Sequence, residues 1–353
     1  MRPESYTFLK NLVEAPSPSG FEQPAQRIVR KRMKAFADSV ETDVHGNVIC
    51  TLNPTGKPRV MLAGHCDQIG LMVKHVDENG FLFVRPIGGI DPSVLPGTRV
   101  TVLGKDGPIR GVIGRKPVHL LKTEERGAKS ELREMWVDIG AKNKKDALRH
   151  VSIGDPLVFR LGMEELSNNI CVSPGFDNKT GTFVVMEALR LASRMKIKCA
   201  LFAVSTVQEE IGLRGAATSC YGINPLVGIA VDVTHATDYP DIDKRTNGDI
   251  RINAGAVIAV GANINPKVAE LLQSTAKKKR IPHQIDAEPG ATGTDANVLQ
   301  ISRAGVAAGL VSIPNRYMHT QVEVVSLSDL DACAKVLAET IARITSRTDF
   351  VPR

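Results

Sequence analysis

Residues 199–210 read Cys199-Ala200-Leu201-Phe202-Ala203-Val204-Ser205-Thr206-Val207-Gln208-Glu209-Glu210. The first six are almost wholly apolar, without the alternation of a strand that shows one face to water. Such a run suits a strand buried on both faces, as in a parallel sheet covered by helices. It stops at a pair of adjacent acids. Residues 226–233 and 305–313 have the same texture. Helical periodicity runs between these strands: over 182–195, with Phe183, Val184, Met186, Leu189 and Leu191 apolar, and again over 266–278, 295–302 and 328–343. Upstream, Phe8, Leu9, Leu12 and Val13 mark one amphipathic helix and 23–36 a second, followed by strands at 47–52 and 59–63. This alternation predicts an α/β fold with a mostly parallel central sheet and helices on both faces.

The texture changes between 81 and 159. Short Val/Ile runs at 81–84, 99–103, 111–113 and 135–139 are bounded by Gly and Pro, the pattern of a small β-barrel or sandwich. The reading is therefore two domains: a catalytic domain from 1–69 plus 164–353, and an inserted β-rich domain at 70–163. A chain of 353 residues also exceeds the ~250–300 that one core usually holds.

Composition narrows the function. At 42% hydrophobic and 24% charged, the chain is ordinary for a globular protein and unlike a disordered, collagenous or coiled-coil one. No apolar stretch approaches the ~18 residues of a membrane span, and the N-terminus lacks a signal core, so neither a membrane nor export is expected. The six cysteines show no CxxC spacing and read as free thiols of a cytoplasmic protein. The net charge of +7 is spread along the chain. Its densest cluster, Lys277-Lys278-Lys279-Arg280, closes a predicted helix, where cations complement the macrodipole. With 4% aromatic residues there are few platforms for stacking bases, so nucleic acid is not an expected partner.

The chemistry lies where strands end. His65 and Asp67 close the strand at 59–63, Asp177 opens a helix, and Glu209 and Glu210 follow the quoted run. Asp232 ends the next run and His319 lies beyond the last. In an open α/β sheet, ligands bind outside the carboxyl ends of the strands, so these segments can share one crevice. Two imidazoles and several carboxylates without thiolate suit zinc, cobalt or manganese. With two ions sharing one bridging carboxylate, the count closes. One ion takes His65, Asp232 and the bridge Asp177; the other takes Glu210, His319 and the same bridge. Each keeps an open position, as catalytic sites do. Glu209 is then free to act as general base, and Asp67 can accept the proton on the non-ligating nitrogen of His65. His45, His75, His119, His150 and His283 read as ordinary polar residues; His235, three past Asp232, is the one near enough to matter.

Five ordered segments resemble the M42 family of dinuclear-metal aminopeptidases: His65-Cys66-Asp67-Gln68-Ile69-Gly70, Gly175-Phe176-Asp177-Asn178-Lys179, residues 207–216, Val231-Asp232-Val233 and Arg316-Tyr317-Met318-His319-Thr320. Residues 15–22 and Gly293-Thr294-Asp295-Ala296 extend the resemblance over nearly the whole chain. It implies His65, Asp177, Glu210, Asp232 and His319 as metal ligands and Glu209 as base, the set reached above from chemistry. It also implies a zinc-exopeptidase-like catalytic fold, a PDZ-like or dimerisation insert, short peptides as substrates and tetrahedral dodecamers. Gln68 departs from the glutamate expected there, without touching a ligand. The expected activity is removal of N-terminal residues from peptides. The rivals are a dinuclear deacylase or carboxypeptidase, a glycosidase, and a metal-binding scaffold without turnover.

Overall fold

In the computed structural model, which describes residues 1–122 and 129–353, helices α1 (Pro3–Glu14) and α2 (Gln23–Met33) lead into the first strands. These are β1 (Ser39–Thr42), β2 (Val48–Leu52) and β3 (Arg59–His65). Next come β4 (Gly70–Val76), β5 (Leu82–Ile87), β6 (Arg99–Gly104), β7 (Gly107–Arg115), β8 (Met135–Asp138), α3 (Lys144–His150) and β9 (Pro156–Phe159). Then follow β10 (Glu164–Glu165), β11 (Ile170–Ser173), α4 (Phe176–Ala192), β12 (Ala200–Thr206), α5 (Arg214–Ile223) and β13 (Val227–His235). The chain continues through α6 (Lys244–Asn247), β14 (Ala256–Gly261), α7 (Pro266–Lys279), β15 (His283–Glu288) and α8 (Ala296–Gln300). It closes with β16 (Ala307–Asn315), β17 (Glu323–Ser326) and α9 (Leu327–Ile341).

The quoted apolar run is β12, third in an eight-stranded sheet of order β1-β2-β12-β3-β13-β16-β14-β15. The expected parallel arrangement holds at the centre, where β12, β3, β13 and β16 run together. Both ends are mixed: β2 is antiparallel to β12, β1 to β2, and the β14–β15 pair runs against β16. Alternate residues of each central strand feed two cores. Val60, Leu62, Leu201 and Ile229 pack with α1, α2, α4 and α9 on one face. Met61, Ala63, Val204 and Ala230 pack with α5 and α8 on the other.

Strands β4-β5-β8-β7-β6-β9 close into an antiparallel barrel with its own core, including Leu71, Leu82, Val102, Ile113, Val137 and Leu157. Residues 123–128 of the predicted insert lie outside the described residues. The barrel is not remote from the sheet's carboxyl edge. Gln321 on the loop after β16 donates to the carbonyl of Val94 at 2.6 Å and to Thr98 Oγ1, both in barrel loops. Among the described residues no helix is long and apolar enough to cross a membrane.

Candidate active site

Three adjacent parallel strands deliver most of the chemistry. His65 is the last residue of β3 and faces Thr206, the last of β12, in register. Glu209 and Glu210 follow in the loop to α5, and Asp232 lies in β13 beside Ser312 of β16. His319 occupies the loop after β16 with φ +60.

Asp177 departs from expectation in its backbone. It does not cap a regular helix. Asp177 (φ −76, ψ 109) and Asn178 (φ −122, ψ 38) are both non-helical, and the peptide between them is cis. Asn178 does the capping instead: its Oδ1 accepts Gly181 N–H at 2.9 Å, while its Nδ2 donates to the Val231 carbonyl at 2.8 Å. Asp177 is thereby left to face both histidines. Its Oδ1 lies 3.4 Å from His65 Nε2 and its Oδ2 3.2 Å from His319 Nε2.

Two groups form around this carboxylate: His65, Glu209 and Asp232; and Asp177, Glu210 and His319. Asp232 Oδ1 and Glu209 Oε2 are each 3.6 Å from His65 Nε2, and Glu210 Oε2 is 3.7 Å from His319 Nε2. All five expected ligands and Glu209 thus converge. Glu209 stands closer to the first group than a purely separate base requires. Asp67 is buried among them in a different posture from the one expected. The nearest atom to His65 Nδ1 is the Asp67 backbone carbonyl at 3.1 Å, with its Oδ1 at 3.5 Å. The Asp67 carboxylate mainly accepts the N–H groups of Glu209 (3.0 Å) and Glu210 (3.2 Å) and the hydroxyl of Ser19 (2.7 Å).

The electrostatics are those of a pocket short of positive charge. Burial, with the charges of Asp232 and Asp295, pushes Glu209 up to about 9 against the pull of His65. Burial and then Asp177 raise Glu210 far above the usual carboxylate range. Burial opposes charging His65, but Glu209, Asp232 and Asp177 together raise its pKa. Asp177, despite its burial, is held well below the usual range by hydrogen bonds from His319 and His65. Glu210 Oε1 is buried without a partner. A buried carboxylate oxygen without a partner, among acids whose pKa burial and like charge raise, fits a site for divalent cations. The mixed N/O donor set fits two of them.

These groups line a cavity of about 510 Å³, which also receives Gly89 from the barrel and Thr292 and Thr294 from the loop before α8. The M42 glutamyl aminopeptidase model matches residues 46–336. The chain belongs to the M42 family. The lysyl aminopeptidase of Pyrococcus furiosus is 38% identical over 353 residues, covering 98% of this chain and 99% of that one. A TET aminopeptidase of Thaumarchaeota archaeon SCGC AB-539-E09 matches with a TM-score of 0.94 at 32% identity, over 98% of this chain and 99% of its own. The TET1 peptidase of Pyrococcus horikoshii, which can assemble into a tetrahedron or a large octahedral shell, matches at 0.86 and 29% identity, over 96% and 100%.

The M42 chain is therefore an aminopeptidase, a hydrolase of peptide bonds, in a family that implies paired divalent metals. Three acids of the site escaped the sequence reading of roles. Asp295, placed only by its motif, is buried with Oδ2 on Thr206 Oγ1 at 2.7 Å. Glu22 accepts Gly20 N–H at 2.6 Å and Gln208 N–H at 3.2 Å, buttressing the glutamate loop. Glu323 was unmarked; its only signal was a lone acid beside an apolar strand, four residues past His319. His235 lines the cavity but joins neither group.

Proposed function

We propose that this M42 aminopeptidase uses two divalent ions to remove basic N-terminal residues from short peptides. The observation that carries the two-ion reading is the single Asp177 carboxylate, one oxygen toward each histidine. His65, Asp232 and Asp177 would hold one ion, and Glu210, His319 and Asp177 the other. Zinc and cobalt suit these donors best, with manganese also acceptable. When bound, such ions supply Lewis acidity for the scissile carbonyl and lower the pKa of an attacking water.

Glu209 takes the proton of that water and delivers it to the departing amine. Burial pushes Glu209 up to about 9; divalent charge held by the neighbouring ligands would lower it toward the range where a base works at neutral pH. Asp67 keeps the two glutamates in place by accepting both of their backbone N–H groups.

Selectivity follows from what else lines the cavity. Among the described lining residues there is no Lys or Arg, and Glu288 is the one acid outside the two groups. Glu288 ends β15, two residues past Asp286, and burial followed by the Asp286 charge raises its pKa. Beside Glu288 an acidic substrate side chain would meet like charge, whereas Lys or Arg would find a partner. The lysyl activity named for the Pyrococcus furiosus relative supports the same choice. The shell-forming TET1 relative supports self-association, for which we propose a dodecamer. The six cysteines, all buried and unpaired, suit a reducing cytoplasm.

The test is an aminoacyl-reporter panel on metal-stripped protein reloaded with zinc, cobalt or manganese, with N-acyl reporters alongside. Lysyl and arginyl reporters should lead, and Glu288→Gln should flatten that preference while sparing leucyl turnover. Faster cleavage of N-acyl reporters would favour the deacylase reading, and a glutamyl preference would remove the role given to Glu288.

A further inference from the structure

Glu323 is buried at the first residue of β17 and makes no ion pair among the described residues. Its two oxygens are each engaged by a different segment of the site, the head of α4 and the loop after β16. Oε2 accepts the backbone N–H of Asp177 and Oε1 that of His319, both at 3.0 Å.

The topology explains the meeting. Glu323 faces Ser173 across the β11–β17 pair, and β11 passes through Pro174 and Gly175 (φ +74) into Asp177. On the other side, Arg316 and Val324 exchange two backbone hydrogen bonds of 3.0 Å, closing residues 317–323 into a loop. His319 sits in that loop in the left-handed region, which a non-glycine residue keeps only where its surroundings over-determine it. The N–H bond to Glu323 is one such restraint.

We propose that Glu323 is a positioning residue for the Asp177–Glu210–His319 metal group. Its carboxylate ties the backbone of one ligand to that of another and so sets the spacing of their side chains. Only a carboxylate serves, since it offers acceptors at both ends and no donor. Glutamine would turn an NH₂ toward one of the two N–H groups and lose that bond. Asp67 performs the matching task for Glu209 and Glu210, so each loop of the site is held by an acid that need not touch an ion itself.

The inference rests on the two-ion reading, and zinc titration of the full-length chain against a chromophoric chelator separates the two. Wild type should bind two zinc ions; a wild type that binds one sinks the two-ion reading itself. Glu323→Gln should keep the first ion at near wild-type affinity and bind the second about 10- to 100-fold more weakly. The visible absorption of cobalt should change only as the second equivalent is added. Combined with His319→Ala, the substitution should cost little more than His319→Ala alone, because its target is already gone. Unaltered zinc affinity, equal weakening of both ions, or additive losses in the double variant would each overturn the proposal. Should Glu323→Gln fail to fold, Glu323→Asp keeps the charge but not the reach, and must show the same selective loss.

Discussion

Glu209 and Glu210 share one acceptor, since both of their backbone N–H groups end on Asp67, yet their side chains diverge to different histidines. Neighbours in an extended or loop backbone point apart, which is why adjacent acids can take unlike roles. Glu209→Gln should bind near-normal metal and lose turnover by ~10²–10⁴-fold, because an amide fills the same space but cannot accept a proton. Glu210→Gln should weaken one ion and regain part of its rate in excess metal. Metal analysis alongside kcat decides; Glu209→Gln rescued by metal would show the two roles reversed. The converging residues were legible in the sequence because their side chains carry the chemistry: taken together, His and acids at successive strand ends point to one crevice. Glu323 and the true posture of Asp67 were not legible. Both act on backbone N–H groups, which every residue has, across 146 and 142 positions of chain. Nothing in residue type or spacing marks such a partner.

At the level of elements, the site depends on how closely α4 lies on β3. A Cβ on Gly64 would sit 2.7 Å from the Gly181 carbonyl carbon and 2.9 Å from Thr182 N, both backbone. Thr182 Oγ1 also donates to the Gly64 carbonyl at 2.9 Å. Neither contact can yield as a flexible side chain would, so Gly64→Ala must push the helix from the strand. Overpacking of this kind costs about 1–3 kcal/mol. The shift would fall between His65, next along β3, and Asp177, at the head of α4. The expected outcome is a lower thermal midpoint together with weaker metal uptake; a destabilised variant with wild-type zinc affinity would show that this contact supports the fold alone. The central strands were legible because burial on both faces leaves only apolar residues. The edge strands were not. β15 alternates half-buried and exposed positions and carries His283, Gln284, Asp286 and Glu288, while β1 is short and largely open to solvent. Residues 256–261 form a strand that was not among those expected from the sequence.

The whole molecule joins the barrel's core to those of the sheet at the rim of one cavity, and this limits how independent the barrel can be. Gly89 lines the cavity, with His319 Nδ1 3.5 Å from where its Cβ would stand, and the Gly89 backbone helps raise the His319 pKa after Asp177. The barrel therefore borders the cavity even though none of the converging residues lies in its strands. Its outer surface offers a separate role. Val118 and Leu120 are 49% and 66% exposed on one turn, and Leu148 and Ile153 are 42% and 56% exposed around the end of α3. Apolar residues grouped on a module with its own core are candidates for burial between copies. Two paired variants test this, Val118→Glu with Leu120→Glu, and Leu148→Glu with Ile153→Glu. Each pair places two carboxylates where an interface would have to desolvate them, while leaving the cavity wall untouched. At least one pair should lower the native mass measured by light scattering and still take up two zinc ions. If both pairs keep the full mass, association runs through the catalytic domain, and the barrel's part is confined to the loop that carries Gly89.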